Sequence, residues 1–321
     1  MAAGIAWVLN LDADLELAAP RGYSPKKSVL AAMQPMVARL ASVLLGPNDT
    51  LVDATSMNAR GLAGRAFCPT PRALKMLLHA GATPEPHPPL NVLRQVNSRA
   101  FASAMGATLP SGAFVTSLEE ALAMLRSSPA VGKGWRIKRA FGMTGRRQRV
   151  SAPSPPSLVE RGGPGWGGDI AFIRAGLAEG GVQIEPDVPI VNEYSIHGML
   201  GQDGGCTFGA MVEQHCDARG RWLGTERIAN PTAAERAIAT RLTEEAAHVA
   251  SALSRAHYFG PFGVDAYTYR DHAGALHLQP RSEINARYTM GFAMGFACDG
   301  QGATLTAPSS TTKCGHGGVR T

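Results

Sequence analysis

The 321-residue chain is 45% hydrophobic and 17% charged, which supplies a sizeable core, excludes a disordered composition and suggests about two domains. With 31 Lys and Arg against 25 Asp and Glu the formal net charge is +6, a balance that favours anionic partners, phosphate-bearing small molecules among them. No apolar run reaches the roughly 18 residues of a membrane span, and Asp12, Asp14 and Glu16 interrupt a start that lacks a basic flank, so a soluble, untargeted protein is expected.

Short apolar runs at 5–11 and 50–54 read as strands around an amphipathic helix at 27–45, the opening of an α/β layer. Pro69 and Pro71 precede a short helical pattern ending near His79, and TPEPHPPL at 83–90 reads as a linker, placing a domain boundary near residue 92. Helices are expected at 97–105 and 118–125 around a short strand at Phe114 and Val115. A strand at 135–139 then leads into a glycine-bearing turn. The Pro-, Gly- and Ser-rich stretch 151–168 reads as a mobile loop, followed by a helix at 169–179. Strands are expected at 182–185, 190–197 and 207–213, then a long Ala-rich helix at 232–257. A hairpin with arms 262–269 and 275–285 turns at 271–274. From residue 299 apolar periodicity is lost, and a disordered tail is expected. The five cysteines are odd in number, widely spaced and without a CxxC pair. Neither a disulfide framework nor a zinc site at His215 and Cys216 is expected, and a reducing cytoplasm is the expected setting.

The hairpin carries the strongest chemical pattern. Residues two apart share a strand face, so Glu283, Asn285 and Arg287 point one way while Ile284 and Ala286 point into packing. Asp265 on the partner arm reaches the same surface. Asp, Glu and Asn together make the hard-oxygen set that magnesium prefers, with phosphates completing its shell. Arg287 is placed to neutralise a carboxylate or a transferring phosphoryl group. Taken alone, the segment also reads as a half-exposed hairpin with surface charges.

In WRIKRAFGMTGRRQRV, Arg136 and Lys138 share a face, and Gly142 and Gly145 let backbone amides approach a phosphate. A solvated basic edge is the plainer alternative. Arg146, Arg147 and Arg149 lack the aromatic interleaving of a nucleic-acid reader, so no nucleic-acid partner is expected. In VQIEPDVPIVNEYSIHGML, Glu185 ends a strand before a Pro-containing break that exposes backbone groups to a planar base, and Glu193 opens the next strand, placed for ribose hydroxyls. Ser195 and His197 share its face. His197 reads either as a substrate contact or as a satisfied polar residue.

In chain order these segments resemble the ATP-grasp superfamily over residues 92–295. Asn97, Ser98 and Arg99 resemble its Asn-Asp-Lys opening, with arginine where lysine is usual. Lys138 resembles its second nucleotide-binding lysine, FGMTGRR its phosphate flap, and Ile184 to Val188 its adenine-contacting hinge. The Glu-x-Asn-x-Arg string ending at Arg287 is similar to that of the biotin carboxylase and carbamoyl phosphate synthetase branches.

The resemblance implies an α/β pre-grasp domain at 1–91, a two-lobed α+β grasp domain at 92–298 with lobes around 112–190 and 191–298, and a tail at 299–321. ATP would lie against Arg99, Lys138, Gly142, Gly145, Glu185, Val188 and Glu193, with Mg2+ on Asp265, Glu283 and Asn285. A substrate carboxylate would attack the terminal phosphorus, giving an acyl phosphate and ADP. An amine would then displace phosphate while Arg287 stabilises the tetrahedral intermediate. The implied partners are a small-molecule carboxylate and an amine, amino acids or peptides, with no membrane and a homodimer left open. A phosphotransferase and a non-catalytic ATP-binding module of the same fold are the alternative readings.

Overall fold

The computed structural model describes residues 4–19, 21–143, 146–151, 166–217 and 222–297, built on three sheets. The first is parallel. In it β1 (Ile5–Val8) lies between β2 (Thr50–Leu51) and β3 (Ala63–Ala66), and β4 (Thr83–Pro84) pairs with β3. Parallel neighbours need crossovers; α1 (Ala13–Ala18), α2 (Lys27–Leu44) and α3 (Pro71–His79) lie in them. The first strand stops three residues short of its predicted end because Asn10 ties off the ladder. Its amide donates to Cys68 O (2.8 Å) and its Oδ1 accepts from Cys68 N (3.1 Å). The stretch 83–90 is docked rather than a free linker: β4 extends the sheet, and Glu85 grips Arg65 through both carboxylate oxygens at 2.7 and 2.6 Å.

Two short helices, α4 (Leu90–Val96) and α5 (Arg99–Ala104), replace the single helix predicted at 97–105. Ser98 is extended (φ −80°, ψ 140°), and its hydroxyl accepts from Ala100 N, so it caps a second helix instead of continuing the first. The second sheet is antiparallel in the order β5, β8, β6, β7, with β5 (Ala113–Val115), β6 (Trp135–Met143), β7 (Arg146–Ser151) and β8 (Val182–Pro186). Helices α6 (Leu118–Arg126) and α7 (Trp166–Leu177) pack over it around Leu125, Trp135, Ile137, Ile173 and Ile184.

The third sheet is antiparallel, with β9 (Ile190–Leu200), β11 (Val212–Cys216), β12 (Trp222–Arg227), β13 (Gly260–Arg270) and β14 (Leu276–Asn285) in the order β12, β11, β9, β13, β14. The short β10 (Cys206–Phe208) pairs with β9. A single strand predicted at 207–213 is broken where Gly209 passes Gly295: a side chain at 209 would sit 2.6 Å from Gly295 O, which accepts from Ala210 N. The long α8 (Ala233–Arg255) starts at a Thr232–Glu235 capping box, and α9 (Phe292–Phe296) follows β14.

The largest core cluster includes Trp7, Leu17 and Leu40 together with Leu93, Ile196, Phe262 and Phe292, so the first and third sheets share one interior. That common interior fixes how the N-terminal layer meets the third sheet. The loop predicted at 151–168 falls mostly on 152–165, and that segment, Gly145 and the tail at 299–321 lie outside the described residues. Among the described residues no helix is long and apolar enough to cross a membrane.

Candidate active site

Strand register builds the floor of a cleft between the second and third sheets. On β13, Asp265 stands opposite Ser195 of β9 on one side and opposite Glu283 of β14 on the other, while Gly263 stands between His197 and Asn285. Partners in register share a face, so the two carboxylates and the amide gather on one surface. The ladder between β13 and β14 shifts register between Asp265 and Tyr267, the kind of irregularity that re-aims side chains beside functional sites. Ile284 and Ala286 are buried on the opposite face, as the alternation predicted.

Asp265 is half-buried and held at both oxygens: Gln214 Nε2 donates to Oδ1 and Asn285 Nδ2 to Oδ2, each at 2.8 Å. Burial, reinforced by the charge of Glu283 and opposed by those two hydrogen bonds and by Arg287, pushes its pKa up to about 7. Two carboxylates crowded in this way, with an amide beside them, fit a hard divalent cation, which would relieve their repulsion. Among the described residues no cluster of three or more His, Cys, Asp or Glu forms a metal site, so the amide oxygen of Asn285 would have to serve as the third protein ligand.

The opposite wall comes from the second sheet. Lys138 on β6 forms an ion pair with the buried Glu185 of β8, and Arg136 pairs with Asp187 at 2.5 Å. Val188 packs with Leu109, Tyr267 and Tyr269 in a small apolar cluster that joins the two sheets at this end. Gly142 also lines the cleft. Glu193 lies nearby on β9, opposite Tyr267 and Gln214. Burial and then the charge of Glu193 push the Cys216 thiol up, so Cys216 remains a protonated donor to that carboxylate.

Arg99 opens α5. Its Nη2 donates to Glu283 Oε1 at 2.7 Å and its Nη1 to Arg139 O at 2.8 Å. It therefore orients a candidate metal ligand.

Arg287 departs from the predicted strand face. β14 ends at Asn285, because the side chain of Asn97 replaces the next strand: its Oδ1 accepts from Ala286 N (2.9 Å) and its Nδ2 donates to Ala286 O (3.2 Å). Beyond that clamp Arg287 turns to the N-terminal layer, where it donates to Asp14 at 2.7 and 3.2 Å and lies over the Phe67 ring at 5.3 Å. Burial works against the cation, but the charge and hydrogen bonds of Asp14 outweigh it and raise the guanidinium pKa.

His197 is buried, and its Nε2 lies 3.3 Å from Ser195 Oγ while Nδ1 has no hydrogen-bond partner among the described residues. Burial lowers its pKa to about 3, so the ring is neutral. Side chains at Gly263, Gly291 or Gly295 would each come within about 3 Å of it.

Every predicted site residue among the described ones, Arg99, Lys138, Gly142, Glu185, Val188, Glu193, Asp265, Glu283, Asn285 and Arg287, lines this one cleft. Gln214, Tyr267 and Cys216 also line it and were not singled out in the sequence. Gln214 and Cys216, two apart on β11, both reach the cleft, but that spacing alone names no chemistry. Asp14 had no local signal at all, since its partner is at the other end of the chain.

No protein-family model matches the chain, and no curated protein matches it in sequence. Solved structures are similar in fold. A biotin carboxylase from Campylobacter jejuni in a β,γ-ATP complex superposes with a TM-score of 0.51 at 14% identity, covering 92% of this chain and 66% of that one. The biotin carboxylase domain of the Hydrogenobacter thermophilus 2-oxoglutarate carboxylase, with MgADP and bicarbonate, gives 0.50 at 12% identity, covering 90% and 65%. An N5-carboxyaminoimidazole synthetase from Staphylococcus aureus with ADP gives 0.47 at 13% identity, covering 88% and 70%.

Proposed function

From the ATP-grasp fold of this chain, we propose that it is an ATP-dependent carboxylate-amine ligase. One observation carries the reading: Lys138 and the Asp265, Glu283, Asn285 set face one cleft from two different sheets, with Arg287 beyond them. The solved neighbours in complexes with β,γ-ATP and MgADP support a nucleotide in such a cleft.

Lys138 leaves Glu185 to meet phosphate oxygens, as a mobile point charge does. Glu185 and the backbone up to Val188 flank the base, and Glu193 accepts from the ribose. Asp265, Glu283 and Asn285 would hold Mg2+. When bound, that ion draws charge from the phosphates and leaves the terminal phosphorus open to attack. A substrate carboxylate oxygen forms the new bond to that phosphorus as the bond to ADP breaks. The amine then adds to the acyl carbon, loses a proton to solvent and expels phosphate, while Arg287 donates hydrogen bonds to the oxygen that gains charge. No side-chain nucleophile is needed, since alignment of the reactants supplies much of the rate.

The test is nucleotide release from Mg-ATP with pooled amino acids, hydroxy acids and small peptides, with new masses followed in the same tube. ADP with a condensed product is the expected result. AMP release overturns the acyl-phosphate route, and a stable phosphorylated product in the absence of amine selects a phosphotransferase.

A further inference from the structure

Past Asp265 the cleft changes character. Along β9 and β13 its floor runs from Glu193 and Tyr267, through Ser195 and Asp265, to His197 and Gly263. Beyond that point the walls come from distant parts of the chain: Leu11 follows β1, Phe67 follows β3, Met36 lies on α2 and Met290 follows β14. Leu11 and Phe67 are buried, and both methionines are partly buried against the same core. Neither phosphates nor a ribose would gain from such a wall.

Each of the four cations that line the cleft is paired with a carboxylate: Arg99 with Glu283, Arg136 with Asp187, Lys138 with Glu185 and Arg287 with Asp14. Among the described residues Arg287 is the cation at the deep end, and His197 beside it is neutral. A guanidinium has five N–H donors. Asp14 takes the Nε hydrogen and one on Nη2, and Tyr288 O takes one on Nη1 at 3.3 Å. Among the described residues this leaves one N–H on each Nη, two donors for the oxygens of a carboxylate.

We propose that the deep end is the acid subsite and that it selects a small carboxylic acid, such as a free amino acid, with an uncharged, apolar side chain packed against Leu11, Met36, Phe67 and Met290. This inference rests on the ligase reading above. A charged side chain packed against those four residues would be stripped of water by groups that carry no counter-charge. Two methionines in the wall adapt to several shapes, so the selection is for a class of acids rather than a single one.

The experiment uses the full chain with Mg-ATP, hydroxylamine as the amine, and single free amino acids, reading hydroxamate and ADP together. Leucine, methionine and phenylalanine are expected to exceed aspartate, glutamate and lysine in kcat/KM by on the order of tenfold or more, the discrimination of an apolar pocket. Equal or better hydroxamate formation with the charged acids overturns the selectivity and leaves the ligase reading standing. No hydroxamate from any acid, with Mg-ATP binding intact by calorimetry, overturns both. Met36→Lys is expected to reverse the order toward aspartate. Met36→Ala adds no charge, so it keeps the test valid if the lysine variant fails to fold, and it is expected to shift preference from leucine toward the larger phenylalanine. Ratios unchanged in a folded variant overturn the wall.

Discussion

Asp14 and Arg287 lie 273 positions apart and meet as a two-pronged ion pair, Nη2 to Oδ2 at 2.7 Å and Nε to Oδ1 at 3.2 Å. Both side chains are nearly shielded from solvent, so the N-terminal layer supplies the counter-charge of a cleft residue carried by the opposite end of the fold. Asp14→Ala leaves a buried guanidinium without its partner and is expected to destabilise the chain by about 3–5 kcal/mol. Arg287→Met in the same background is expected to recover most of that loss. A urea-unfolding double-mutant cycle measures the coupling, and a value near zero means that the pair is solvated in solution.

Lys138 and Glu185 separate affinity from stability. Lys138→Ala removes a charge-assisted contact and is expected to weaken ATP binding by roughly 1–3 kcal/mol, read by calorimetry. It also leaves the Glu185 carboxylate, 2% exposed, without its cation. Adding Glu185→Gln is expected to restore thermal stability without restoring ATP affinity. An unaltered dissociation constant in the single variant removes Lys138 from the nucleotide site.

Asp265 gives the ligand-free chain a pH dependence of defined sign. Its carboxyl holds a proton up to about pH 7 when folded, against an ordinary value of 3.8. Between pH 4 and 7 the folded state therefore binds more protons than the unfolded one, and stability falls as pH rises through that window, levelling above it. Asp265→Asn is expected to remove this contribution to the pH dependence and to stabilise the metal-free protein at pH 8 by roughly 2–4 kcal/mol, while abolishing turnover. Calorimetric melts of wild type and variant at pH 5 and 8 decide it; a stability difference between the two that is the same at both pH values shows that Asp265 ionises normally.

His197 acts in the opposite sense. Burial holds its ring neutral down to about pH 3, whereas an exposed imidazole takes a proton near 6.5. The unfolded chain gains that proton first as pH falls, so stability is lost from pH 6.5 downward. His197→Gln is expected to make unfolding in urea less acid-sensitive, cutting the loss between pH 7 and 4.5 by roughly 2–3 kcal/mol. The same acid loss in the variant and the wild type would mean that the ring is hydrated.

Much of the cleft could be read from the sequence because it is built on regular strands. Period-two alternation placed Glu283 and Asn285 opposite the packed Ile284 and Ala286, and the turn near Asp271 set the hairpin that brings Asp265 to them. Where the prediction failed, a contact remote in sequence overrode local pattern. Gly295 broke the strand at 209–210, Asn97 ended β14 before Arg287, and Cys68 ended β1 through Asn10. The tie between Asp14 and Arg287 was illegible for the same reason: an acidic residue in a six-residue helix has no periodicity that names a partner. The internal pairing of Arg99, Arg136 and Lys138 was equally hidden, since a basic residue on a strand reads the same whether it faces solvent or a carboxylate.

The clamp of Asn97 on Ala286 makes one backbone amide a gauge for the entire cleft. A single carboxamide anchors the residue flanked by Asn285 and Arg287, so loosening that grip releases a candidate cation ligand and the guanidinium in the same event. Deuterium uptake at the Ala286 N–H would therefore time the opening of both halves of the site together, in a chain carrying no label and no ligand.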